Sequence, residues 1–178
     1  FAAIKEEFAQ ISVTCTAPSK TFNIASMMIS NIFILNRELK AKFRAQLDAA
    51  GISQLNVLGL VACEAAYAHG EEWYEAMHSY VADNIAFTKE YVETQLPGVS
   101  MVDHEGTYLV WLDFRETGLS VDELEDLIVH RAKLWLDSGR IFGDCGKGFQ
   151  RVNVACPRAT LKEALDRIKT ALQEREAQ

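Results

Sequence analysis

Residues 71–96 read EEWYEAMHSYVADNIAFTKEYVETQL, and Pro97-Gly98 follows directly. Trp73, Met77, Val81, Ile85, Val92 and Leu96 recur at helical spacing, which predicts one continuous helix over this stretch. Pro97 stops it, because proline lacks an N–H and clashes with the preceding turn. At 1.5 Å per residue the rod is about 35–40 Å long. That is long enough to bridge two domains, and the sequence texture changes across it. The expected division is therefore 1–96, ending with the long helix, and 97–178.

Before the rod, Ile11, Val13 and Cys15 alternate with Ser12 and Thr14, the period of a half-buried strand over 11–16. Pro18 ends that strand. Residues 28–35, MISNIFIL, are a second apolar run of strand length. Asn36 is placed to cap a helix carrying Leu39, Phe43 and Leu47, with Gly51 as its stop. The Ala-rich run 57–69, ended by Gly70, predicts a closely packed helix, and residues 3–9 a short one.

After the rod, short strands are expected at 99–103, 107–114, 133–137 and 149–156. Ser120 with Glu123 has the form of a capping box, as does Thr160 with Glu163. Leu161, Leu165, Ile168 and Leu172 line one face of a final helix. No internal repeat or low-complexity tract interrupts the pattern.

Composition excludes several classes of function. Among 178 residues, 18 basic against 25 acidic give a net charge of −7, and no Lys/Arg cluster offers a nucleic-acid surface. No apolar run reaches membrane-span length, and FAAIKEEFAQ lacks the apolar core of a signal peptide. Cys15, Cys63, Cys145 and Cys156 show no CxxC pattern and are read as reduced, mostly buried thiols of a cytoplasmic protein. His69, His78, His104 and His130 lack metal-ligand spacing, so no metal is expected. GDCGKGF, residues 143–149, is glycine-rich but lacks the Lys-Ser/Thr ending of a phosphate loop and is read as flexible. The chain starts at Phe1 without Met, which leads to the expectation that it is part of something longer.

Two residues stand out. Lys20, in TAPSKTFNIAS, is presented beyond the C-terminal end of a strand, the end at which open α/β sheets bind ligands. With apolar flanks, its amine suits nucleophilic chemistry, including attachment of an aldehyde cofactor. The competing reading is a solvated charge. Arg151 lies on the strand 149–156, where Val152, Val154 and Cys156 take one face and Arg151 and Asn153 the other. A guanidinium held by a strand and turned from the core suits bidentate capture of a carboxylate. The competing reading is an ordinary surface ion pair.

APSKTFNIAS, EGTYLVWLDF at 105–114 and GFQRVNVACPR at 148–158 together resemble the MalY/PatB-type cystathionine β-lyases. These belong to the class I/II aminotransferase superfamily of fold type I pyridoxal-phosphate enzymes. The resemblance runs in order over essentially the whole chain. It implies an α/β fold: the end of a large-domain sheet, a long interdomain helix and a small α+β C-terminal domain. It implies pyridoxal 5'-phosphate as cofactor, Lys20 as the residue that binds it covalently and acts as base, and Arg151 as anchor of the substrate carboxylate. Tyr108 is implied at the substrate. The chain would be the C-terminal part of a subunit about twice as long, whose missing N-terminal part holds the remaining cofactor ligands. A homodimer would complete the site. Two departures bear on the phosphate. Relatives often carry serine three residues before the lysine and a basic residue eight after it; here these are Ala17 and Met28, so Ser19 or Thr16 is expected to substitute. Ser26 stands where near relatives have glycine.

The implied activity is carbon–sulfur β-elimination from cystathionine- or cysteine-type amino acids, giving thiol, pyruvate and ammonia. An aminotransferase on the same scaffold would use Lys20 and Arg151 identically. A stand-alone module, inactive by itself, is the non-enzymatic alternative.

Overall fold

The computed structural model describes residues 1–176. It resolves into two compact units, Phe1–Ala76 and Met77–Gln178. The division falls inside the long helix, not at Pro97. The packing explains this: Val81, Tyr91 and Val92 on that helix, and Leu96 just after it, are part of the second unit's core.

In the first unit a short helix α1 (Glu6–Gln10) precedes two short strands, β1 (Thr14–Thr16) and β2 (Asn31–Phe33). They pair antiparallel, with Thr14 opposite Phe33 and Thr16 opposite Asn31. Both are shorter than the alternation predicts, and their faces are open. Ile11 and Val13 are exposed rather than buried, because a two-stranded ribbon has no second layer to cover it. Helix α2 (Arg37–Ala49) is capped as expected by the Asn36 side chain, which accepts from the Leu39 N–H at 3.0 Å. Gly51 follows in the left-handed region that such a stop requires. Helix α3 (Val57–His69) also forms where predicted, capped by Asn56. It is not closely packed, however: Val57, Leu58 and Val61 are exposed, Leu58 at 69%.

Helix α4 (Glu71–Gln95) runs 25 residues, as its apolar stripe dictates. Beyond it the second unit is built on an antiparallel sheet in the order β3-β4-β6-β5. The strands are β3 (Ser100–Met101), β4 (Leu109–Asp113), β5 (Asp137–Ser138) and β6 (Phe149–Asn153). β5 begins where the predicted strand 133–137 ends. The residues before it leave helix α5 (Val121–Asp126) through a π turn over Leu127–Arg131, and Lys133 takes a left-handed backbone that breaks an extended run. Val110 and Leu112 of β4 and Val152 of β6 face a core shared with Leu96, Phe114, Leu124, Ile128, Leu161, Leu165 and Ile168. Burying each of these large side chains contributes about 1.5–3 kcal/mol.

The capping box of Ser120 and Glu123 forms in full, and the Ser120 bonds hold the Glu123 carboxyl below its usual range. The second expected box does not. Helix α6 (Arg158–Glu176) starts earlier, and the Leu161 N–H already donates to the Pro157 carbonyl at 3.1 Å. Thr160 is thus inside the first turn, not before it. Pro157 immediately precedes the helix, where its missing N–H costs nothing and its carbonyl accepts the first helical bond.

The four cysteines are free. None is fully buried: Cys15 and Cys145 are exposed, while partial burial pushes the Cys156 thiol up. Nor is the glycine-rich loop unstructured. It forms two 3-10 turns, Gly139–Phe142 and Asp144–Gly146, in which Gly139 and Gly146 meet backbone to backbone. A Cβ on Gly139 would lie 2.0 Å from the Gly146 carbonyl oxygen, so only glycine fits there.

Candidate functional site

Lys20 lies four residues past the end of β1, in a tight turn. The Phe22 N–H donates to the Pro18 carbonyl at 2.9 Å, and Ile24 N–H to the Ser19 carbonyl at 3.0 Å. Phe22 anchors this turn. Its ring lies against Gly70, where a Cβ would come within 2.7 Å of it. Tyr67 meets it edge-on at 5.7 Å, and Trp73 stacks on it at 6.2 Å. Pro18 is buried and Ser19 half-buried beneath, which leaves Lys20 and Thr16 exposed. Despite its apolar flanks, Lys20 is open to solvent in this chain, whose two-stranded ribbon offers no covering layer. Lys20 enters no hydrogen bond or ion pair among the described residues. What the fold supplies is a primary amine on a rigid, aromatic-anchored turn, with the Ser19 and Thr16 hydroxyls close in sequence.

Arg151 belongs to the second unit. On β6 it stands opposite Trp111 of β4 on one side and Asp137 of β5 on the other. Asp137 Oδ2 accepts from Arg151 Nε at 3.1 Å and from Nη2 at 2.5 Å. The guanidinium lies over the Phe142 ring, 4.7 Å from its centre, and Phe142 meets Trp111 edge-on at 5.1 Å. Phe149 continues the aromatic row against Trp111. As the alternation of β6 requires, Arg151 is turned from the core, and its side chain is 25% exposed.

Tyr108 is half-buried against the core of the second unit, and its carbonyl accepts from the Val154 N–H. It falls on the Val110 side of the strand alternation, so Trp111 is the β4 residue beside Arg151. The sequence did not single out Asp137, Phe142 or Phe22. Asp137 ends a run expected to be a strand and Phe142 follows it in a 3-10 turn, and only tertiary packing brings both to Arg151.

No protein-family model matches the chain. Among curated proteins it is 43% identical to cystathionine beta-lyase PatB of Bacillus subtilis (strain 168) over 172 residues, 97% of this chain and 44% of the relative. It is 30% identical to protein MalY of Escherichia coli (strain K12) over 151 residues, 84% of this chain and 39% of that protein. In sequence the chain is thus similar to MalY/PatB-type proteins. Among solved structures, cystalysin from Treponema denticola, which contains a pyridoxal 5'-phosphate cofactor, matches with a TM-score of 0.93 at 37% identity. That match covers 97% of this chain and 44% of cystalysin. The chain thus spans a little under half the length of the relatives it matches, and the match is to their C-terminal part. Its fold is that of the C-terminal portion of a fold type I pyridoxal-phosphate subunit.

Among the described residues no cluster of His, Cys, Asp or Glu could hold a metal ion. No helix among them is long and apolar enough to cross a membrane.

Proposed function

We propose that this chain is the C-terminal part of a pyridoxal-phosphate-dependent carbon–sulfur β-lyase acting on cystathionine- or cysteine-type amino acids. The observation that carries the reading is Lys20 on its Phe22-anchored turn, within a chain 43% identical to PatB over nearly its full length. The donor set fits the cofactor. Lys20 provides an exposed amine for its aldehyde, and the Ser19 and Thr16 hydroxyls are suited to its phosphate. Ala17 and Met28 offer no phosphate donor, so those hydroxyls and residues elsewhere in the subunit share that task.

The chemistry supplied by bound pyridoxal phosphate is an aldehyde for the substrate amine and a ring that accepts an electron pair from Cα. Lys20 Nζ would hold the cofactor through its aldehyde and, when free, would take the proton from the substrate Cα as general base. Arg151 would hold the substrate carboxylate and so restrict the orientation of the bonds at Cα. The net reaction would turn the substrate amino acid and water into a thiol, pyruvate and ammonia. The working enzyme is taken to be a cytoplasmic homodimer whose partner subunit completes the site.

Borohydride reduction of the cofactor-loaded, full-length subunit is the direct test. The cofactor should be fixed on a peptide containing Lys20, and Lys20→Ala should lose both the adduct and nearly all turnover. Labelling of another lysine overturns the assignment. Pyruvate released from L-cystathionine without any keto-acid acceptor separates β-lyase from aminotransferase activity, which would use the same two residues.

A further inference from the structure

A guanidinium carries five N–H donors on two usable edges, the side edge of Nε and Nη2 and the end edge of Nη1 and Nη2. In Arg151 the side edge is already taken: Asp137 Oδ2 accepts from both Nε and Nη2. Asp137 is no passing surface partner. It sits directly opposite Arg151 in the β5–β6 register, so two strand backbones hold the pair together. One face of the guanidinium is covered by Phe142, and Trp111 flanks it from β4. Nη1 makes no hydrogen bond among the described residues. The side chain nonetheless keeps 25% of its surface exposed.

We propose that Asp137 is a positioning residue: it locks the side edge of Arg151 so that the end edge, Nη1 with the outer Nη2 hydrogen, receives the substrate carboxylate. The inference rests on the reading of Arg151 as the carboxylate anchor. An unbraced arginine would swing among many rotamers, and each capture would have to order it first. Bracing by Asp137 and Phe142 removes that cost before the substrate arrives. Asp137 also offsets the guanidinium charge, so the site selects a planar carboxylate that can form two bonds over any anion in reach.

The test uses the full-length, cofactor-loaded enzyme and three variants. Asp137→Ala should raise KM for L-cystathionine about tenfold, the order expected for losing one charge-assisted hydrogen bond. Its kcat should stay within about twofold, since the brace acts before the chemistry. Asp137→Asn, which keeps a carbonyl oxygen for Nε and Nη2, should recover most of the loss. The Kd of 3-(methylthio)propionate, a carboxylate with no amine, should follow the same order by calorimetry, while that of its carboxamide should not move. A KM that falls in Asp137→Ala would show the aspartate to be a competitor for the fork, and the proposal fails. It fails equally if KM is unchanged, or if Asn is no better than Ala. Arg151→Lys, run in parallel, separates the two levels. If it leaves KM and Kd unchanged, the carboxylate reading of Arg151 is what has fallen; if it raises both while Asp137→Ala does not, only the brace has.

Discussion

Asn84 on α4 is fully enclosed, and its amide is used at both ends. Nδ2 donates to the Val154 carbonyl at 2.7 Å and to the Cys156 carbonyl at 2.9 Å. Oδ1 accepts from Arg158 Nε at 2.6 Å. Arg158 also lies over the Phe87 ring, and its backbone N–H donates to the Tyr80 hydroxyl. The segment that leaves β6, the strand of Arg151, is thereby fastened to α4. Asn84→Ala strands two buried carbonyls and one guanidinium nitrogen, and each stranded group costs about 1–3 kcal/mol. A large drop in thermal midpoint is expected, and Asn84→Asp should not restore it, because a carboxylate cannot donate to either carbonyl. A midpoint that moves by less than a degree would mean water replaces the amide. Nothing in the sequence marked Asn84, since a lone polar residue on an apolar helix stripe looks the same whether it faces solvent or a carbonyl pair. That Lys20 follows a proline-ended strand and that Arg151 lies on the outward face of its own strand was legible, because proline punctuation and strand alternation act on neighbours in the chain.

At the scale of elements, α4 and α6 are joined by a hydrogen bond from the Tyr91 hydroxyl to Asp166 Oδ1 at 2.5 Å. Burial first, and then this bond, push the Tyr91 phenol well above its ordinary range. Lys162 first, and then Tyr91, hold the Asp166 carboxyl below its own. The signs give two windows. A raised tyrosine contributes stability that is complete below about pH 10 and is lost as pH climbs beyond it, because the unfolded chain ionises first. A lowered aspartate contributes above about pH 4 and loses that contribution on acidification. The thermal midpoint measured against pH should thus fall at both ends, and Tyr91→Phe should flatten the alkaline fall. An alkaline limb identical in the variant would assign that loss to other groups. Helix starts show how far element-level signals reach. Ser120 and Glu123 close their box, whereas the equally suggestive Thr160 and Glu163 do not. The motif says a helix starts nearby; Pro157 decided where.

On the scale of the whole chain, the two units contrast in how they treat apolar surface. The second closes a core around its sheet, while the first leaves Met28, Phe33, Ile52, Leu55, Val57, Leu58 and Val61 exposed. An apolar patch of that extent is a surface for association, and the open edges of a two-stranded ribbon add unpaired backbone. Residues 1–178 prepared alone should therefore self-associate with rising concentration in sedimentation and bind an apolar dye. Replacing Val57, Leu58 and Val61 by serine should weaken both. A dye-free monomer at every concentration would show that these side chains find cover within the chain.

The amino-acid sequence by itself determined the rod of α4, the caps at Asn36 and Ser120, the position of Lys20 after a proline-ended strand and the outward face of Arg151. These follow from periodicity and backbone stereochemistry, which act over a few residues. Tertiary structure alone decided that Asp137 and Phe142 brace Arg151, that Phe22 pins the lysine turn, that Asn84 fastens β6 to α4, and that α3 keeps an apolar side uncovered. Such pairings join residues far apart in the chain, and strand register and core packing choose among many partners that any local pattern leaves equivalent.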